Sequence, residues 1–172
     1  MLGILNRDEK PEMARPAPMY HIAVSLLIAV LLNLAPWWRI GLSVTPDFLA
    51  LVLLFWAIYQ PSRIGMSVAF IAGLFMDVAH GAYLGQYALA YVTEIFVAQL
   101  IRQRILRFDP FRQSLHVIVL LFVMQLALLL VHQTNGARVV GLSYFYASLF
   151  GAVLWPFMVL GYAWLAHRKT EY

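Results

Sequence analysis

The chain has 172 residues, 63% of them hydrophobic and only 12% charged, with a mean hydropathy of +0.78. About a quarter of the residues of a soluble domain are charged, so this composition excludes an ordinary soluble domain and predicts an integral membrane protein of one domain. There is no cysteine, which excludes disulfides and thiolate metal sites, and the net charge of +4 has to be read from where the charges fall.

A membrane helix needs about 20 mostly apolar residues. The first candidate covers 20–38 and ends in the interfacial pair Trp37-Trp38. The second covers 46–59 and is stopped by Pro61, the third 64–79, and the fourth 85–101. The fifth covers 114–133, behind an Asp109-Pro110 pair suited to a helix start. The sixth covers 144–166, and Pro156 near its middle removes one intrahelical hydrogen bond and is expected to kink it. The expected architecture is all-α, with a six-helix membrane domain over 20–166 and short tails at 1–19 and 167–172.

Lys and Arg orient such a chain, because they collect on the cytoplasmic side. Of the 12, Arg7, Lys10, Arg15, Arg63, Arg102, Arg104, Arg107, Arg112, Arg168 and Lys169 share one side. Only Arg39 and Arg138 lie on the other. Both termini are therefore expected inside, as an even number of spans also requires. The basic balance reads as topology and not as a nucleic-acid footprint. The first span is too long and too late for a typical signal peptide, and no cleavage pattern follows it.

The second and third spans are short. At about 1.5 Å per residue they reach only about 21–24 Å, against about 30 Å of hydrocarbon. Asp47 opens the second span and Asp77 and His80 close the third, all on the outer side. The expectation is a shallow outward depression near Asp47, Asp77 and His80, because irregular backbone at that depth must be buried or line a wet cavity. Asp47 can equally be a helix N-terminal acid favoured by the dipole.

Gly65, Ala69, Gly73, Asp77, Gly81 and Gly85 recur at every fourth position. Small residues let membrane helices approach closely, so Gly65, Ala69 and Gly73 predict a packing side that Asp77 extends. Four residues overshoot a turn by about 40°, so the row drifts around the helix and only about three successive members share a face; Gly81 and Gly85 are expected beyond the end of the span. Ser143, Ala147 and Gly151 form a second row in the sixth span. The plain alternative is that glycine is simply commoner in membrane helices.

Buried membrane carboxylates are costly and usually have a partner. Asp77 has His80 one turn on. Glu94 is the most deeply placed charge, with Tyr91, Gln99, Gln125 or another subunit as partners that the sequence leaves open. Either transport chemistry or a satisfied polar contact between helices accounts for such acids, and polar interhelical contacts are the commoner use.

No catalytic constellation accompanies them. GMSVA at 65–69 lacks the last glycine of a nucleophile elbow and has no strand before it. His21, His80, His116, His132 and His167 are scattered and form no paired ligand set. Neither a phosphate-binding loop nor a dinucleotide fingerprint occurs. The expectation is no enzyme, no cofactor and no metal.

Four segments then fall together: LLNLAPW at 31–37, TPDFLALVLLFWAIYQPSR at 45–63, AGLFMDVAHGAYLG at 72–85 and LFGAVLWPFMVL at 149–160. In this order and spacing the chain resembles the MreD family of bacterial rod shape-determining membrane proteins, in its proteobacterial form. The resemblance covers nearly everything after residue 20. It implies a non-enzymatic scaffold of the elongasome in the inner membrane, needed for rod shape and lateral peptidoglycan synthesis. The implied partners are MreC, MreB, a RodA-type glycosyltransferase and its penicillin-binding transpeptidase. It also implies a fold similar to the substrate-binding subunits of energy-coupling-factor transporters.

On that reading the small-residue faces dock the single helix of MreC or a second copy of the chain. The basic loop of Arg102, Arg104, Arg107 and Arg112 meets anionic lipid or MreB, lipid alone being worth about 1 kcal/mol per basic residue. Asp77→Leu is expected to weaken assembly more than insertion. The alternative is a transporter subunit binding a small molecule or lipid in the outward cavity. Those subunits commonly dock through A-x-x-x-A on the first helix, and here the nearest approach is Ser25-x-x-x-Ala29.

Overall fold

The computed structural model describes residues 18–40, 45–134 and 146–168. All regular structure among them is helical: α1 (Met19–Leu34), a short 3-10 turn (Trp37–Ile40), α2 (Phe48–Tyr59), α3 (Met66–Ala79), α4 (Gln86–Ile105), α5 (Pro110–Thr134) and α6 (Tyr146–Arg168). The tails at 1–17 and 169–172, with Arg138 and Ser143, lie outside the described residues.

Local chemistry explains the borders. Asp47 caps α2, its side chain accepting from Ala50 N. Pro110 starts α5, four residues earlier than expected, in the first-turn position where its missing N–H costs nothing. α4 runs on to Ile105, past the expected 101, and so carries Arg102 and Arg104 in its last turn, where cations complement the helix dipole. The expected basic loop is thus corrected. Two of its arginines end α4, Arg112 lies in the first turn of α5, and only Arg107 is in the connection. α6 continues as one helix through Pro156.

α2 is apolar all round and occupies the centre, with every residue from Leu49 to Ile58 buried except the half-buried Val52. It packs on α1, α4 and α6, while α3, α4, α5 and α6 pack each on the next. At the α4–α5 end, Tyr59 Oη and Trp155 Nε1 both donate to Gln113 Oε1 at 3.1 Å, which ties α2, α5 and α6 together. Phe55 stands edge-on to Trp155 and Tyr162 beside this knot. Buried Ser148, in the first turn of α6, donates to Gln125 Oε1 at 2.6 Å and joins α6 to α5.

The α3–α4 hairpin is the tightest contact. A Cβ added to Gly73 would lie 2.3 Å from Ala88 Cα, so the two backbones touch. α3 ends in a Schellman turn: Gly81 N donates to Val78 O and Ala82 N to Asp77 O, with Gly81 at φ +60°. Gly85 precedes α4 at φ +96°. Both glycines supply left-handed turns.

Among the described residues two helices are long and apolar enough to cross a membrane by themselves, α5 over Pro110–Val131 and α6 over Tyr146–Ala163. α1, α2 and α3 are shorter apolar helices, at 16, 12 and 14 residues.

Candidate functional site

The end of α1, the start of α2, the end of α3 and the start of α4 meet at one end of the bundle. With α5 and α6 they line an open cavity of about 140 Å³, whose walls include Asn33, Asp47, His80, Tyr87, Gln125 and Ala147. Asp47 is its organising group. One carboxylate oxygen accepts from Asn33 Nδ2 at 2.7 Å and from Ala50 N at 2.9 Å. The other accepts from the Tyr91 hydroxyl at 2.7 Å. Asn33 in turn accepts from Phe48 N at 2.8 Å. One acid therefore caps α2 and clamps α1 and α4 to it, so the capping and cavity roles coincide in one residue.

Asp77 does not line the cavity. It is fully buried beneath the α3–α4 turn and accepts from Gly85 N at 2.8 Å and Tyr87 N at 2.6 Å. It is a cap supplied by one helix to the N-terminus of the next, where N–H groups lack intrahelical partners and the dipole favours an anion. The expected Asp77–His80 pair is corrected. α3 stops at Ala79, so His80 leaves the helix; its Nδ1 lies 3.1 Å from Met76 O and its ring stacks on Tyr87 at 5.2 Å. Asp77 and His80 thus hold Tyr87 from two sides, one through its backbone and one through its ring.

The other candidates divide. Ala69 and Gly73 are buried, with Gly73 set against α4, so the row packs within the chain and offers no free docking face. Gly65 precedes α3 with nothing within 4 Å of an added Cβ, and Gly81 and Gly85 belong to the turn. Gly65 is corrected from a packing residue to a helix-end residue, because α3 starts only at Met66, while Gly81 and Gly85 lie beyond the helix as expected. In α6, Gly151 packs against Leu121 and Ala147 faces the cavity. Glu94 is fully buried and neither carboxyl oxygen has a hydrogen-bond partner among the described residues, so Tyr91, Gln99 and Gln125 do not serve it. Tyr87, Tyr91 and Glu94 are spaced by four and three, which puts all three on one stripe of α4 running inward from the cavity. Arg104, Arg107 and Arg112 are exposed at the opposite end of α4, where Arg102 Nε donates to Ile58 O. Among the described residues no three His, Asp or Glu side chains converge as a metal set.

Sequence reasoning missed Asn33 and the bond of Tyr91 to Asp47. A lone amide in the last turn of an apolar helix, at the same end as Asp47, was the available signal for Asn33. Asp47→Ala should strand the Asn33 amide and the Tyr91 hydroxyl and lower stability by about 2 kcal/mol, with Asp47→Asn milder. Thermal unfolding of the purified protein in detergent measures both.

A family model described as rod shape-determining protein MreD matches residues 14–164. The rod shape-determining protein MreD of Haemophilus influenzae (strain ATCC 51907 / DSM 11121 / KW20 / Rd) is 28% identical over 142 residues, covering 82% of this chain and 87% of that protein. No solved structure matches the chain.

Proposed function

The chain belongs to the MreD family of rod shape-determining proteins, a membrane protein family, and from that premise we propose that it is a non-enzymatic scaffold of the elongasome. The observation that carries this reading is the extent of the family match, which takes in α1 to α5, α6 as far as residue 164, and all the candidate residues from Asp47 to Gly151. In the proposed arrangement six helices cross the inner membrane with both termini in the cytoplasm. The arginines around the α4–α5 connection then face the cytoplasm, beside anionic lipid or MreB, and the Asp47 cavity opens outward. MreC is the direct partner, and the RodA-type glycosyltransferase and penicillin-binding transpeptidase belong to the same complex. The short α2 and α3 beside a cavity support the likeness to energy-coupling-factor substrate-binding subunits.

Depletion of the protein from the rod-shaped cell that makes it should give round cells with MreC dispersed. Re-expression of the wild-type chain should restore rods. Cells that keep their rod shape and their MreC pattern after depletion would overturn the scaffold reading.

A further inference from the structure

A membrane protein presents to lipid an apolar strip whose height should match about 30 Å of hydrocarbon. The strips on this bundle are unequal. On α3 the exposed large apolar residues run from Met66 through Phe70, Ile71 and Phe75 to Val78. Twelve helical steps at about 1.5 Å make that strip about 18 Å high. On α4 they run from Leu89 through Phe96 to Leu100, about 16 Å. Polar groups bound the α3 strip at both ends and the α4 strip beyond Leu100. Exposed Ser62 and half-buried Arg63 precede α3, exposed His80 and Gly81 follow it, and exposed Gln103 and Arg104 follow Leu100. Tyr83 and Leu84 are exposed in the turn, at the level where aromatic side chains settle at the interface. Measured the same way, the exposed large apolar residues of α5 run from Phe111 to Leu130, about 28 Å, and those of α6 from Tyr146 to Leu160, about 21 Å.

A partner helix is a poor occupant for the low edge. Close helix docking in a membrane uses small residues, and those of α3, Ala69 and Gly73, are buried. What α3 and α4 turn outward is Phe70, Ile71, Phe75 and Phe96, a surface fitted to acyl chains.

We propose that the α3–α4 edge holds the bilayer thin, so that the lipid beside it is compressed or drawn from short-chain species while the α5 side meets bilayer of ordinary thickness. This rests on the membrane-spanning reading above and not on the scaffold role. The thin zone is a sorting device. Other short-spanning helices reduce the compressed perimeter by moving into it, which gathers them near this chain without a specific contact.

The test uses the absence of native cysteine. Phe75→Cys or Leu100→Cys marks the low edge and Val119→Cys marks α5, each on the full chain. Each carries a fluorescent label and is reconstituted in vesicles of dimyristoleoyl, dioleoyl or dierucoyl phosphatidylcholine. Competition with brominated lipid reads the relative affinity of each site for each chain length. The Phe75 and Leu100 sites should favour the shortest chain over the longest by about threefold or more, and the Val119 site should favour longer chains. The same optimum at all three sites overturns the proposal. So does a Phe75 label that no brominated lipid quenches, because the edge is then covered by a second copy. Neither outcome bears on cell shape, which the depletion experiment reads.

Discussion

Gly73→Val is expected to cost at least about 3 kcal/mol of stability, because the close approach of α3 and α4 leaves no room for a side chain. The Cβ alone would meet Ala88 Cα at 2.3 Å, Ala88 N at 2.5 Å and the Tyr87 carbonyl carbon at 2.7 Å. All three are backbone atoms and none can rotate away. The helices must separate, and the Asp77 cap on α4 is pulled off with them. Gly65→Ala is the matched control: nothing lies within 4 Å of its added Cβ, so its stability should stay within about 0.5 kcal/mol of wild type. Titration with sodium dodecyl sulfate, followed by helical circular dichroism, compares the two. Equal stability of Gly73→Val and wild type would mean that α3 and α4 do not touch at this point.

Asp77→Leu is expected to cost about 3 kcal/mol, since it leaves the N–H groups of Gly85 and Tyr87 buried without an acceptor. Asp77→Asn keeps one acceptor oxygen but turns an N–H₂ toward the other donor, so its loss should be smaller, about 1–2 kcal/mol. Insertion should not suffer, because removing an acid from an apolar helix favours insertion. The loss should appear in the purified protein alone, as a lowered melting temperature in detergent. Any weaker hold on MreC would then follow from a loosened hairpin. A wild-type melting curve combined with lost co-purification of MreC would instead return Asp77 to an intermolecular interface. The two variants thus separate an internal cap from the docking role that the small-residue row suggests in the sequence.

The helices were legible because each is an apolar run bounded by a stop with a mechanism: Pro61 after α2, Gly81 and Gly85 between α3 and α4, and Asp109-Pro110 before α5. The largest errors at helix ends, four residues each, were at the end of α1, which stops at Leu34 ahead of Pro36 and leaves the Trp37-Trp38 pair to a separate 3-10 turn, and at α4 and α5, where arginines lie in helical turns that their charge had assigned to a loop. Hydrophobicity alone cannot see that a cation near a helix C-terminus is favoured by the dipole. The short α2 and α3, and with them the grouping of Asp47 and His80 at one end, followed from length and order alone.

What only the tertiary structure decided is which groups satisfy one another. Periodicity put Asp77 and the small residues on one face of α3, but the donors on the other side belong to α4, at a distance in the chain that no local spacing encodes. Asp47 found Asn33 and Tyr91 for the same reason. Glu94 shows the reverse: its depth could be read from the sequence, while the lack of a partner for its carboxyl among the described residues could not. A sequence carries the apolar stretches, the stops and the likeness to a family, because these are local or cumulative. Hydrogen bonds between helices depend on how six separate faces settle against each other, and that is a property of the packed chain.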